Sequence, residues 1–169
     1  MQVYTVQRAA ADDALPFTLP ELRLHALAQT KLREVMVLDP GVRLHAAPDA
    51  LFRNSAFQKA GVLFAPKGEF RARIGVWKLC GLTVPRHTAA TGCFIMDRSQ
   101  CWRALSLWRW IVDRTYFFNG YVDGDGGTAQ LAFAATGQHA PLSRALRAFA
   151  LSNNGTHQRD SFVVTHSHT

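Results

Sequence analysis

The feature that most constrains the fold of this sequence is that its apolar residues come in short runs. The period of those runs switches between helical and extended along the chain. Met1 to Gln7 alternates enough to form a first strand. Thr18 with Glu21 has capping-box spacing, and Pro20 falls in the first turn, where a missing N–H costs nothing. A helix is therefore predicted over 19–34, burying Leu24, Leu27, Ala28 and Leu32. A buried strand over 35–38 follows, stopped by the turn Asp39-Pro40-Gly41.

Asp49 is the expected N-cap of a helix reaching Lys59, with Gly61 as terminator. Strands are expected over 62–65 and 69–79, joined across Pro66, Lys67 and Gly68, and over 91–96. Asp97 caps a helix over 98–113, with Cys101, Leu105, Trp108 and Val112 on one stripe. Trp102, Leu107, Trp110 and Ile111 lie elsewhere around it, a pattern that predicts a largely buried helix. Segments 116–122 and 128–134 would pair as a hairpin across the glycine-rich residues 123–127. Pro141 opens a last helix, and 161–165 closes the chain as a strand.

This order lacks the regular strand–helix alternation and the glycine fingerprint of a doubly wound sheet. The expected class is α+β, a mostly antiparallel sheet packed with three to four helices, in a ferredoxin-like arrangement with insertions. At 169 residues, 48% of them hydrophobic and 18% charged, residues 1–169 are expected to form a single domain with a sizeable core. No stretch approaches the ~18 apolar residues of a membrane span, and residues 1–14 show no targeting pattern. Three cysteines, Cys80, Cys93 and Cys101, lack C-x-x-C spacing and read as reduced thiols in a cytoplasm.

The formal charge of +7 is concentrated. Between Leu51 and Met96 lie Arg53, Lys59, Lys67, Arg71, Arg73, Lys78 and Arg86, against the single acid Glu69. Along the strand expected over 69–79, Phe70, Ala72, Ile74 and Val76 face the core, while Arg71, Arg73 and Trp77 share the opposite face. Guanidiniums neutralise phosphates and an exposed indole stacks on an unpaired base, which is the physics of single-strand binding on a sheet. The bland alternative leaves Trp77 in the core and the arginines merely solvated.

Other chemistry is weaker. The loop with Asp123 and Asp125 fails the calcium-loop pattern, because Gly127 stands at the third ligand position and no closing glutamate follows. His166 and His168 are too few for a metal site. His87, between Arg86 and Thr88, is the candidate base if the chain is a small nuclease or hydrolase, and a loop histidine otherwise. No cofactor or metal is expected. The leading expectation is a non-enzymatic module that binds nucleic acid, single-stranded and RNA in its specific form, through Arg53, Lys59, Lys67, Arg71, Arg73, Trp77, Lys78 and Arg86. Its main rival is a subunit of a larger assembly that meets protein partners through the Trp-rich helix 98–113.

Overall fold

A computed structural model describes residues 18–39, 42–44, 48–69, 75–118, 121–122, 124–144, 146, 150–152 and 163–165. The elements in chain order are α1 (Leu19–Gln29), β1 (Glu34–Leu38), β2 (Val42–Leu44), α2 (Asp49–Phe52), α3 (Ser55–Ala60), β3 (Val62–Glu69), α4 (Gly75–Leu79), β4 (His87–Asp97), α5 (Arg98–Val112), α6 (Thr115–Phe118), α7 (Gly124–Ala135), β5 (Ala150–Ser152) and β6 (Val163–Thr165). The class is α+β. A four-stranded sheet runs β3-β4-β1-β6 with antiparallel neighbours throughout, and β2 pairs with β5 in a separate two-stranded sheet.

Strand alternation sends apolar side chains to both sides of the larger sheet. Val35, Val37, Val62, Phe64, Phe94 and Met96 meet residues of α1, α5 and α7 on one face. Met36, Leu38, Leu63, Ala65, Cys93 and Ile95 meet Leu51, Phe52 and Phe57 from α2 and α3 on the other. Phe64 is at the centre of the first cluster, with ring centroids 5.0 Å from Phe94, 6.1 Å from Trp108 and 5.8 Å from Phe133. The contacts with Trp108 and Phe133 are edge-to-face and that with Phe94 is tilted, and such contacts add to the area that each ring buries.

Local capping signals take the expected form. Glu21 accepts a hydrogen bond from the Thr18 N–H at 2.5 Å to start α1. Asp97 Oδ1 accepts from the Ser99 and Gln100 N–H groups at 2.9 and 3.2 Å to start α5. Gly61 ends α3 at φ +70°, its N–H donating to the Phe57 carbonyl at 2.7 Å. The final strand forms as β6, paired with β1.

Several expectations need correction, the first being that the helix expected over 19–34 ends at Gln29. The helix expected from Asp49 to Lys59 is two helices, because Asn54 takes an extended conformation and caps α3 through Ala56 N–H; Asp49 sits in the first turn of α2, after Pro48. The break expected at Pro66 is absent. β3 continues through it to Glu69, with register shifts around Pro66 and Gly68, which an edge strand tolerates because its missing N–H faces no partner.

Of the strand expected over 69–79, Glu69 closes β3, residues 70–74 lie outside the described residues, and 75–79 form helix α4, which carries Trp77 into the core at 1% exposure. The hairpin over 116–134 is replaced by helices α6 and α7. Gly126 through Phe133 are all buried, so the apolar run had no exposed face from which to read a period. Helix α5 is buried along the predicted stripe and also at Ala104 and Ile111, but not all round, since Trp102 and Trp110 are about half exposed. The opening strand over 1–7 lies outside the described residues. Of the helix after Pro141, the structure describes Leu142, bridged to Phe64, and the buried Leu146. Among the described residues no helix is long and apolar enough to cross a membrane.

Candidate functional site

Arg53, Lys59, Lys67, Lys78 and Arg86 are exposed, and no described carboxylate lies within ion-pair distance of any of them. They do not form one tight cluster. Arg53 and Lys59 flank α3, at the end of β3 where Val62 pairs with Met96. Lys67 stands about 17 Å further along the strand, taking ~3.3 Å per residue. Arg86 lies at the same end of the sheet but beyond Lys67, since it precedes His87, the partner of Glu69, whereas Lys67 falls between the Pro66–Ala89 and Gly68–Thr88 pairs. Lys78 is on α4. Arg71 and Arg73 lie outside the described residues. Trp77 is removed from the predicted stacking surface, because its indole is packed in the core.

A second polar arrangement lies on the α1–α7 side of the sheet, and the sequence did not single it out. Arg23, only 3% exposed, projects from α1. Its Nη2 donates to Asp39 Oδ1 at 2.5 Å, and its Nη1 stands 4.0 Å from Asp125 Oδ2. Asp39 follows β1 and lies against Gly92 of β4, whose carbonyl accepts from the Asp39 N–H at 2.8 Å. A β-carbon on Gly92 would come within 2.1 Å of Asp39 Oδ2, so the glycine leaves room for the carboxylate in the position that Arg23 holds. Asp125 belongs to the first turn of α7.

The two acids are a third or more exposed, so solvent reaches both. Burial holds the Asp125 carboxyl above the usual carboxylate range, against the lowering pull of Arg23 and Lys67 and with the help of Asp39. Lys67 therefore links the cationic segment to this centre. The arrangement can bind a cationic or hydroxyl-bearing group, or exchange a proton at Asp125. No spacing signal flagged it, because Arg23 and Asp39 are 16 residues apart and meet only in the fold.

The remaining candidates are quieter. His87 is exposed at the start of β4, and its carbonyl accepts from Gln130 Nε2 at 2.9 Å. Burial, helped by Asp39 at Cys93 and by Asp97 at Cys101, pushes both thiols up to about 12, so neither is a thiolate at neutral pH. Among the described residues no cluster of three or more His, Cys, Asp or Glu side chains is placed to hold a metal. Exposed aromatics gather on α5, α6 and just beyond: Trp102, Trp110, Tyr116, Phe117 and Tyr121, with the Arg114 guanidinium 4.3 Å above the Trp110 ring. No protein-family model, curated protein or solved structure matches this chain.

Proposed function

We propose that the protein is a nucleic-acid-binding module for single strands, RNA in the specific form, acting as a subunit of a ribonucleoprotein complex. The observation that carries this reading is that Arg53, Lys59, Lys67, Lys78 and Arg86 keep their charges exposed and free of described carboxylates. In sequence, Arg71 and Arg73 connect Lys67 to Lys78 and belong to the same surface in this reading. Phosphate contacts supply the affinity, since Trp77 offers no stacking face. Partner subunits dock on the exposed aromatic side formed by Trp110 near the end of α5 with Tyr116 and Phe117 of α6, where ring-bearing side chains at the surface suit a protein interface. The scaffold is a ferredoxin-like sheet with insertions: the order β3-β4-β1-β6 and its antiparallel neighbours support this, and helices α2 and α3 on the second face are added material.

The test is binding of labelled single-stranded oligonucleotides across a salt series. The module should bind with an affinity that falls as salt rises. A Lys67→Gln, Lys78→Gln, Arg86→Gln variant should flatten the log–log slope by about 0.7 for each phosphate that is no longer neutralised. An affinity indifferent to salt and to the triple variant would sink this reading.

A second reading is favoured by the Arg23–Asp39–Asp125 centre. Two carboxylates in different environments, one ion-paired and one pushed up by burial, are the arrangement that proton transfer uses. In this reading the chain is a small hydrolase whose proton is carried by Asp125 instead of His87. Turnover abolished in Asp125→Asn but kept in His87→Ala, with both variants folded, is the expected result. The reverse pattern would return the role to His87.

A further inference from the structure

The turn between α1 and β1 is fastened to the start of α5. Arg98 donates through Nη1 to the Thr30 and Leu32 carbonyls and through Nη2 to the Ala28 carbonyl, and its own N–H donates to the Arg33 carbonyl at 2.8 Å. Arg33 returns two hydrogen bonds to Asp97 Oδ2, at 3.0 and 2.9 Å. Between these clamped segments opens a surface cavity of about 510 Å³, lined by Lys31, Leu32, Arg33, Arg98, Ser99 and Trp102. That volume lies within the roughly 300–1,000 Å³ of small-ligand sites.

The lining is unusual for a solvated surface. Trp102 is 52% exposed on α5, so about half of its indole is covered and the rest is open to the cavity and solvent. Three cations meet at the cavity, against Asp97 and the nearby Glu34. Arg98 is committed to backbone carbonyls and Arg33 in part to Asp97, but Lys31 is exposed and has no described carboxylate in ion-pair range. The first N–H groups of α5 are already taken by Asp97, so an anion here would be held by side-chain cations and not by the helix end.

An exposed indole beside a positively charged, pre-fastened rim fits a ligand with a flat aromatic ring and a phosphate one sugar away. We infer that this cavity is a nucleotide-binding site, with Trp102 stacking on the base and Lys31 and Arg33 holding the phosphate. None of its residues belongs to the cationic segment 51–96, so it stands or falls separately from the proposed strand-binding surface. The same chemistry comes from a free nucleotide or from one unit of a single strand, and the experiment separates the two.

Calorimetric titration of the full chain with adenosine 5′-monophosphate, adenosine and an oligonucleotide of five adenosines tests it. The monophosphate should bind more tightly than adenosine. Trp102→Ala and Lys31→Gln should each weaken it by about fivefold or more, and Trp102→Phe should retain most of the affinity. Lys31 is exposed and Trp102→Phe keeps a packed ring, so Lys31→Gln and Trp102→Phe should leave the thermal melt unmoved and separate loss of binding from loss of fold. Oligonucleotide binding about tenfold tighter than the monophosphate, with the same sensitivity to Trp102→Ala, assigns the site to a strand, and equal affinities assign it to a free nucleotide. No saturable binding by any of the three ligands overturns the inference. So does binding that Trp102→Ala and Lys31→Gln leave unchanged; if the Lys67→Gln, Lys78→Gln, Arg86→Gln variant then abolishes it, the central segment alone is the binding surface.

Discussion

Gly126 of α7 lies directly on the Ala89 carbonyl of β4: a β-carbon there would stand 2.1 Å from that oxygen and 2.6 Å from Thr88 Cγ2. The glycine is what lets a buried helix settle onto the sheet at this point, and Gln130, one turn later, uses the closeness. Its Oε1 accepts from the Ala89 N–H at 3.2 Å and its Nε2 donates to the His87 carbonyl. Gly126→Ala should therefore lower unfolding stability by roughly 2–3 kcal/mol, since the obstacle is backbone and cannot rotate away. Gly75→Ala, where nothing lies within 4 Å, should change it by about 1 kcal/mol at most. Urea denaturation of the two variants checks both, and equal effects would contradict this close helix–sheet packing.

Asp97 is 1% exposed and serves four partners at once: the start of α5, the Ser99 hydroxyl, the Gln100 side-chain amide and the Arg33 guanidinium. Burial pushes its carboxyl up, but the hydrogen bonds from Arg33, Ser99 and Gln100 outweigh that and hold it below the usual range. A carboxylate with a depressed folded-state pKa contributes stability above its unfolded value and loses it as pH falls towards the folded one. Asp97→Ala should cost about 2 kcal/mol at pH 7, the upper end for removal of an N-cap. The gap between variant and parent should narrow as the pH is lowered below about 4, where the unfolded carboxyl protonates. Denaturation at pH 7 and pH 3 measures it, and a gap that widens in acid would be inconsistent with the assigned direction.

Asp125 carries the opposite sign. Its folded-state carboxyl is held above the usual range, chiefly by burial, so its contribution to stability falls as pH rises through that raised value. Asp125→Asn should leave the protein at least as stable at pH 7 as the parent, with the difference disappearing in acid where both side chains are neutral. Groups kept in an unfavourable charge state are found where a site uses them, and their removal commonly stabilises. A clear loss of stability at pH 7 would mean that the Arg23 contact at 4.0 Å outweighs the burial cost, and would remove this support for a proton-carrying role.

What the sequence made legible was what neighbours within a turn decide. Thr18 with Glu21, Asp97 with Ser99 and Gln100, and Gly61 at positive φ are all settled by groups at most four residues apart. Trp77 and residues 124–135 escape such reasoning because their conformation depends on what covers them. An apolar run buried on every side carries no period, and glycines that suit a turn also suit a close helix–sheet contact. The Arg23–Asp39 pair joins residues 16 apart, and Arg33–Asp97 joins residues 64 apart. Such pairs leave no mark at fixed spacing, so the polar centre and the Trp102 cavity became visible only with the fold. The cationic segment was legible as composition, but its division along β3 was not.

The three cysteines separate cleanly by environment, and this gives a test of the core that is independent of function. Cys80 is exposed just after α4, whereas Cys93 lies between β4 and the α2–α3 layer and Cys101 donates towards the Gly61 carbonyl at 3.3 Å. Burial pushes the two inner thiols up to about 12, so at pH 8 they present almost no thiolate as well as no access. A disulfide reagent added to the native protein should label one thiol rapidly, and the other two only at the rate of unfolding or on addition of denaturant. Cys80→Ser should abolish the fast phase and leave the melt unmoved. Rapid labelling of a second thiol in native protein would mean that the β4 layer opens far below the global unfolding free energy, and would undercut the two-sided core on which every site assignment depends.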